Sequence, residues 1–397
     1  MLNISRYFSR DVIISSYSRT PIGSFRKSLK NVSATKLGSV AIENAVKNSK
    51  VSKDHIQEVY MGQVMQGFSG QAPARQSVIF ADLPKSVICT TINKVCASGM
   101  KTIMLAAMSI RHNYQDVIVA GGMESMSSAP FYLSRNEPKY GGDRLVDSVV
   151  FDGLTDVYDQ IHMGRIGEMT SQEFNVSRKE QDDYAISSYE RAKKALADGH
   201  FKNEICNVII KGRAGDITVS EDEEFAKVDL KKIPNLKAVF LPGDQGTITA
   251  GNASGLADGA AATVISAKEF ADSNNLNQIA KIIAFTDAEC KPTDFPVAPI
   301  VAVKKLLNQT SLKASDIDLW EVNEAFSVVP IVFMKELKLD HNQVNIHGGA
   351  VSIGHPLGMS GTRITGHLAM NLRNGQKGIA AICNGGGGAS AILLEGL

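Results

Sequence analysis

Cys96 is the residue whose type and setting say most about chemistry in this chain. It follows a β-branched run, Thr90 to Val95, that reads as a buried strand, and it opens the small-residue turn Cys96-Ala97-Ser98-Gly99 ahead of an apolar helix. A cysteine at a helix N-terminus meets unpaired N–H groups and the positive end of the dipole, so its thiolate is expected to form more readily than that of a free thiol. The plain alternative is a buried structural cysteine. Three later stretches are costly as structure alone. Trp320-Glu-Val-Asn323-Glu-Ala-Phe326 ends an apolar segment in a polar pair, Gly348-Gly-Ala-Val-Ser-Ile-Gly354-His355-Pro-Leu-Gly358 sets a histidine between glycines, and Cys383-Asn-Gly-Gly-Gly-Gly388 exposes backbone N–H groups that could hold an oxyanion. Singly, each has an ordinary reading: Asn323 as a helix cap, His355 as a satisfied core histidine, Cys383 as filler, the glycines as a turn.

The elements that must position these groups read as α/β. A strand over Val12–Tyr17, the turn 20–24, a helix over Ala34–Val46, a strand at Glu58–Met61, the loop Gly62–Gly70 and a helix near Pro73–Ala81 lead to the Cys96 segment. A helix over 98–112 and a strand at Asp116–Ala120 follow, ending in Gly121-Gly-Met-Glu-Ser125. Such alternation by itself implies a largely parallel sheet. From 126 to about 256 the texture changes to polar turns, tyrosines and charge, with one clear helix, Lys179–Ala197. That stretch also carries an acidic run, Glu221–Glu224, followed by Lys227, Lys231, Lys232 and Lys237, a charge pattern typical of solvated surface. The α/β texture resumes at Gly259–Ser266, and 279–397 repeats the order of the first block. In each block a small-residue turn opens a helix, at Cys96 and at His355, and a strand with a Gly-rich end follows, 25 residues on at Gly121 and 28 residues on at Cys383. Two related halves would bring their matching turns to one shared pocket.

Composition excludes several classes of function. At 397 residues the chain is long enough for two or three domains, and 34 glycines imply close backbone packing. Lys and Arg (42) nearly balance Asp and Glu (41), which leaves no global field for nucleic acid or an anionic membrane. Five widely spaced cysteines without a CxxC pair argue against a disulfide framework or a zinc site. No apolar run approaches the roughly 18 residues of a membrane span. Residues 1–10, with Arg6, Arg10, two serines and no acid, resemble a short mitochondrial presequence; an ordinary terminus is the alternative.

Taken together and in order, five motifs resemble the thiolase family over about Val12 to Leu397: Asn93-Lys-Val-Cys96-Ala-Ser-Gly-Met, Gly121-Gly-Met-Glu-Ser-Met, Asn323-Glu-Ala-Phe, the glycine-flanked His355 stretch and Cys383-Asn-Gly-Gly-Gly. The resemblance implies a thiolase fold: two related α/β halves, with central mixed sheets packed around shared helices, plus an inserted loop domain. Residues 11–125, completed by 257–278, would form the first half, 126–256 a coenzyme A-binding insertion and 279–397 the second half. It also implies an acyltransferase that condenses two acetyl-CoA to acetoacetyl-CoA and CoA, and runs the reverse thiolysis. In those terms Cys96 carries the acyl group, His355 is its base, and Cys383 moves the proton of the second acetyl-CoA methyl. Asn323, through water, and His355 form one oxyanion site, and the N–H groups of Cys96 and Gly385 the other.

For coenzyme A, the resemblance implies His162, Met163 and Ser254 along the pantetheine, Lys227 and Lys232 at the phosphates of the nucleotide end, and Tyr189 among the binding residues. No cofactor is covalently bound, CoA being substrate and product. Lys227 stands where relatives commonly have Arg, Met169 where they usually have Asn, and His347 in place of another Asn. Phe295-Pro296 marks the mitochondrial short-chain type, associated with 2-methyl-branched substrates and activation by potassium at Tyr189, Ala250, Gly251, Ala253 and Val351. A homotetramer of tight dimers and a mitochondrial matrix location, or alternatively a cytosolic one, complete the implied picture. The competing readings are a broader or long-chain 3-ketoacyl-CoA thiolase and a catalytically silent CoA- or lipid-binding relative.

Overall fold

The computed structural model describes residues 10–135, 140–213, 215–226 and 228–397. Nine strands make the scaffold: Val12–Arg19 (β1), Glu58–Gly62 (β2), Ile88–Ile92 (β3), Val117–Ser125 (β4), Ala257–Ala267 (β5), Ala280–Glu289 (β6), Leu319–Val322 (β7), Lys377–Asn384 (β8) and Gly388–Gly396 (β9). They lie in the order β7-β8-β9-β6-β1-β5-β4-β2-β3, and the two-residue strand Gly23–Ser24 joins beside β5. The sheet is mixed. Alternation of strand and helix suggests a mainly parallel one, but β8 returns directly into β9 through a tight turn, and β5 and β6 run against β1.

Pairing repeats outward from the seam between β1 and β6. On one side β1–β5 and β5–β4 are antiparallel and β4–β2 is parallel; on the other β6–β9 and β9–β8 are antiparallel and β8–β7 is parallel. β3 extends the first half alone, parallel to β2. The seam consists of the pairs Ile13–Lys281 and Ile14–Ala280. This is the duplication that the two glycine-rich turns foreshadow.

Period-two alternation along the strands feeds three apolar cores. Val117 and Val119 of β4 face the core that holds helix α1 (Ala34–Ser49) and α2 (Pro73–Phe80), whereas Ile118 and Ala120 face α3 (Ser98–Arg111). Among the described residues, five further helices of ten or more residues follow: α4 (Met163–Glu173) and α5 (Arg178–Ala197), then α6 (Ala298–Thr310), α7 (Val328–Leu337) and α8 (Leu357–Asn371) in the second half. On β8, Ile379, Ala381 and Cys383 face the core holding α6 and α7, and Ala380 and Ile382 face the core that α3 and α8 share. Residues 357–369 of α8 are buried without interruption, as expected of a helix enclosed on all sides. The α3/α8 pair is thus the middle layer between two sheet halves, with helices outside each. Between 126 and 256 the described strands pair only locally, as three two-stranded ribbons beside α4 and α5.

All five cysteines are free. Among the described residues no helix is long and apolar enough to cross a membrane.

Candidate active site

β3 stops at Ile92, short of the β-branched pattern, because Asn93 diverts the backbone. Its Oδ1 accepts from the Val95 N–H at 2.9 Å, and its amide reaches the Val64 carbonyl at 3.4 Å. The Lys94 N–H donates to Ser98 Oγ at 2.8 Å, and that hydroxyl donates to the Val95 carbonyl at 2.6 Å. The turn holds Val95 at φ 46°, a left-handed conformation that is strained for a β-branched residue. The consequence is that Cys96 stands, partly exposed, two residues ahead of α3.

His355 occupies the matching place before α8, and backbone contacts hold the two helix starts together. A Cβ on Gly122 would lie 2.0 Å from the Gly358 carbonyl, one on Gly99 2.8 Å from that carbonyl, and one on Gly361 2.4 Å from the Met100 nitrogen. Only glycine permits that approach. The His355 N–H donates to the Gly255 carbonyl at 2.9 Å. Its ring Nδ1 lies 2.6 Å from Ser360 Oγ, and that hydroxyl donates to the Pro356 carbonyl at 2.9 Å. With the Ser360 proton directed at the Pro356 carbonyl, the hydroxyl accepts from the ring, the ring proton sits on Nδ1 and the Nε2 lone pair faces the Asn323 amide. Asn323 Nδ2 lies 3.4 Å from that Nε2, and Asn323 is fully buried with Oδ1 unpartnered.

Protonation differs from the sequence expectation at Cys96. Burial pushes its thiol up to about 12, with a smaller push from Glu124, against the N–H groups of Gly385 and Cys96 itself, which favour the thiolate. Loss of water outweighs the helix start. Burial, and less so Arg363, holds His355 down to about 3, so the resting ring is neutral. Burial and the neighbouring Cys96 push the Cys383 thiol well above its ordinary value.

Cys96, His355 and Gly385 line one cavity of about 380 Å³. His162, Met163, Ser254 and Phe295 share its wall with Val150, Leu154, Phe240, Phe326 and Leu357. Asn323 and Cys383 are not among its lining residues; Asn323 stands behind His355, and Cys383 is within electrostatic reach of Cys96. A second cavity of about 320 Å³, with Asp152, Asp156 and Gln160 on its wall, shares Gly153, Met163 and Gly385 with the first. His162 caps α4, its Nδ1 accepting from the Gly164 N–H at 3.0 Å, and its ring stacks on Phe240 at 4.9 Å. Ser254 Oγ donates to the Ala325 carbonyl at 2.8 Å. Gly386 and Gly387, at φ 88° and 90°, close the β8–β9 turn that carries Gly385.

Other sequence candidates lie elsewhere. Lys232 is exposed beside Asp229, 3.6 Å away, and lines neither cavity; Lys227 lies outside the described residues. Tyr189 is buried in α5, in one apolar cluster with Val351. Burial, Glu224 and Glu324 push its phenol above the ordinary range. Gly251 is buried and Ala253 half-buried, whereas Ala250 is exposed. A Cβ on Gly251 would touch Ile233, which belongs to the Tyr189 cluster. Tyr189, Val351 and Gly251 therefore lie about one apolar cluster, and the oxygens assigned to a cation would suit a hard monovalent ion. Among the described residues no group of three His, Cys, Asp or Glu could hold a metal. Met169 is exposed on α4. His347 sits with its Nδ1 3.1 Å from His367 Nε2 and its ring stacked on His200 at 4.2 Å.

Sequence reasoning missed Ser360 and the work of Glu324. The buried Glu324 carboxylate accepts from the Tyr184 hydroxyl at 2.7 Å, Ser188 Oγ at 2.9 Å, the Asn345 amide at 2.9 Å and the Val351 N–H at 3.0 Å. It thereby ties α5 to the turn that leads to His355. The signal was its place beside Asn323; nothing local marks Ser360.

Paired helix starts, a cysteine and a histidine on one cavity wall and a pseudo-twofold mixed sheet define an enzyme site built between two halves of one chain. The sequence matches "Thiolase, N-terminal domain" over residues 12–269 and "Thiolase, C-terminal domain" over residues 276–396, and the chain belongs to the thiolase family. It is 52% identical over 396 residues to the mitochondrial acetyl-CoA acetyltransferase of Homo sapiens, covering 99% of this chain and 92% of that protein. The Acat5 thiolase of Ascaris suum, solved in complex with coenzyme A, superposes with a TM-score of 0.94 at 45% identity, covering 98% of this chain and all of that one. Human mitochondrial 3-ketoacyl-CoA thiolase superposes with a TM-score of 0.93 at 34% identity, over 98% of this chain and 99% of that one.

Proposed function

We propose that this chain is an acetyl-CoA C-acetyltransferase, acting through an acetyl-Cys96 intermediate. The observation that carries the reading is Cys96 and a neutral His355 on one cavity wall, with the Gly385 N–H directed at the cysteine sulfur. Relatives about half identical to the chain bear that activity in their names.

In thiolysis, His355 Nε2 takes the Cys96 proton as the sulfur attacks the keto carbon of acetoacetyl-CoA. In the resting cavity the thiolate–imidazolium pair is strongly disfavoured, so proton transfer belongs to the attack itself, where the new oxyanion meets donors aimed at it. The carbon–carbon bond then breaks, and Cys383 gives its proton to the departing acetyl-CoA carbanion. The proton that His355 took from Cys96 then restores Cys383, and CoA attacks acetyl-Cys96, its thiol proton passing to the freed His355 and on to the released Cys96 sulfur. Condensation is the reverse. Asn323 through water, with His355, serves one thioester oxygen; the N–H groups of Cys96 and Gly385 serve the other. His162, Met163 and Ser254 follow the pantetheine, and the second cavity continues that path outward.

Phe295 on the cavity wall supports a short, 2-methyl-tolerant acyl pocket. Potassium would be held by the carbonyls of Ala250, Gly251, Ala253 and Val351 and the Tyr189 hydroxyl, and when bound it would supply a positive charge that pins the 250–254 segment beside the site. A mitochondrial location follows the names of the relatives. The division into 11–125 with 257–278, 126–256 and 279–397 belongs to the same reading. A homotetramer is supported by the unpaired edge of β3 and by exposed Phe131, Leu133 and Leu145 beside the 131–147 ribbon.

The test is thiolysis of acetoacetyl-CoA and 2-methylacetoacetyl-CoA, with and without potassium, by the wild type and Cys96→Ala. Both substrates should turn over, faster with the ion, and the substitution should abolish activity. Turnover confined to long-chain 3-ketoacyl-CoA would favour the broader thiolase, and none at all a silent binder.

A further inference from the structure

The Gly121-Gly-Met-Glu-Ser-Met motif carries a buried carboxylate to which the reaction above assigns no task. Glu124 is 0% exposed at the end of β4. Its Oε2 accepts from the N–H groups of Val64 at 3.0 Å and Gly358 at 2.9 Å, and its Oε1 from the N–H of Met65 at 3.1 Å. Gly358 lies in the first turn of α8, three residues after His355. Val64, Met65 and Leu357 form one apolar cluster, against which Val95 and Cys96 pack. Glu124 thus grips both sides of the nucleophile: the loop packed against the Cys96 turn and the helix start that carries His355.

We propose that Glu124 is a positioning residue, whose carboxylate straps the Val64–Met65 turn to the first turn of α8 and so holds His355 in register with Cys96. The inference rests on the thiolase reading of those two residues.

Its setting is an expensive way to cap three N–H groups. Among the described residues no Lys, Arg or His is ion-paired with Glu124, and its ionisable neighbours are Asp258, also fully buried, and Cys96. An uncompensated buried charge costs far more than a buried amide or hydroxyl. A carboxylate differs from those groups in two ways that matter here. It accepts at both oxygens without presenting a donor, which three converging N–H groups require. Burial pushes the carboxyl itself up to about 7, so its charge, fully formed only above neutral pH, adds a small push to the burial that already keeps the Cys96 thiol protonated. Glycine geometry leaves little slack, since a Cβ on Gly358 would lie 3.0 Å from Glu124 Oε2 and 2.9 Å from the Met123 carbonyl.

Two substitutions separate the strap from the charge. Glu124→Gln keeps the shape, removes the charge and turns an N–H donor toward a backbone N–H. Glu124→Asp keeps the charge but is too short to reach all three partners. Acetoacetyl-CoA thiolysis is measured beside alkylation of Cys96 by iodoacetamide across pH, read by peptide mass spectrometry so that Cys89 and Cys290 do not interfere. In both variants kcat should fall about 10- to 100-fold, the scale of a small misplacement of reacting groups, while KM changes by less than about threefold. In Glu124→Gln the rate of Cys96 alkylation at pH 9 should rise about 3- to 10-fold, as expected when a nearby like charge is removed; in Glu124→Asp it should stay at the wild-type rate. A merely structural role would not split the variants in this way. Wild-type kcat in Glu124→Asp, or an unchanged alkylation rate in Glu124→Gln, overturns the proposal. If Glu124→Gln does not fold, Glu124→Asp decides alone. A wild type without thiolysis would sink the thiolase reading instead, and the alkylation comparison would still report on the charge.

Discussion

On the proposed reading, the base depends on a hydroxyl that lines neither cavity. Ser360, donating to the Pro356 carbonyl, accepts the Nδ1 proton of His355 and leaves the Nε2 lone pair for the Cys96 proton. Ser360→Ala should let the ring adopt the other tautomer and leave a buried N–H unpaired. We expect kcat for thiolysis to fall about 10- to 100-fold with little change in KM, checked by steady-state kinetics beside a melting curve. A variant that loses stability but keeps kcat would show that the hydroxyl only packs. Since His355 is held down to about 3, its own protonation should not produce an acid limb in kcat/KM above about pH 5.

Among the elements, the decisive contact is the crossing of α3 and α8 at their first turns. There is no room for a methyl group on Gly122, because the carbonyl it would meet, that of Gly358, is backbone and belongs to the helix that carries His355. Gly122→Ala should therefore push α8 away from β4. Overpacking of this kind costs about 1–3 kcal/mol or more. Activity should fall further than the loss of stability accounts for, since the displacement lies between the two reacting groups. Urea unfolding and thiolysis measured on the same preparation test this, and a stable, fully active variant would refute it.

For the whole molecule, one buried network joins the two halves to the residues between them. Arg19 on β1 bonds Glu204 at 2.7 Å and Asp222 at 2.7 Å and 2.9 Å, and Glu204 reaches His367 of α8 at 2.7 Å. Burial alone would raise the Glu204 carboxyl, but His367 and Arg19 outweigh it and hold it at about 2. A carboxyl held below its unfolded value, about 4.3, adds stability at neutral pH that disappears as pH falls from there toward about 2. Glu204→Gln should cost about 3–5 kcal/mol at pH 7, the scale of breaking a buried pair, and the gap to wild type should narrow between about pH 5 and pH 2. Urea midpoints at pH 7, 5 and 3 measure it; a gap independent of pH would mean that the charge contributes nothing.

Local chemistry was legible in the residues because it depends on neighbours in the chain. Glycine-flanked turns, a β-branched run before Cys96 and the repeated order of turn, helix and strand point to the two halves and to the groups that the family resemblance makes candidates for reaction. Strand and helix cores were also readable, since period and capping act within a few residues, as at Ser33, whose hydroxyl caps α1. What the chain order could not say is which distant groups share a wall. Burial raised the Cys96 thiol against the pull of its helix start, and that burial comes from Val64, Met65 and Leu357, far apart in sequence. The pseudo-twofold pairing senses, the Glu124 grip across 60 and 234 residues and the tautomer of His355 all depend on contacts that only the closed fold creates. Sequence set the identity of the reacting atoms; tertiary packing, by removing water and choosing hydrogen-bond partners, set their protonation and alignment.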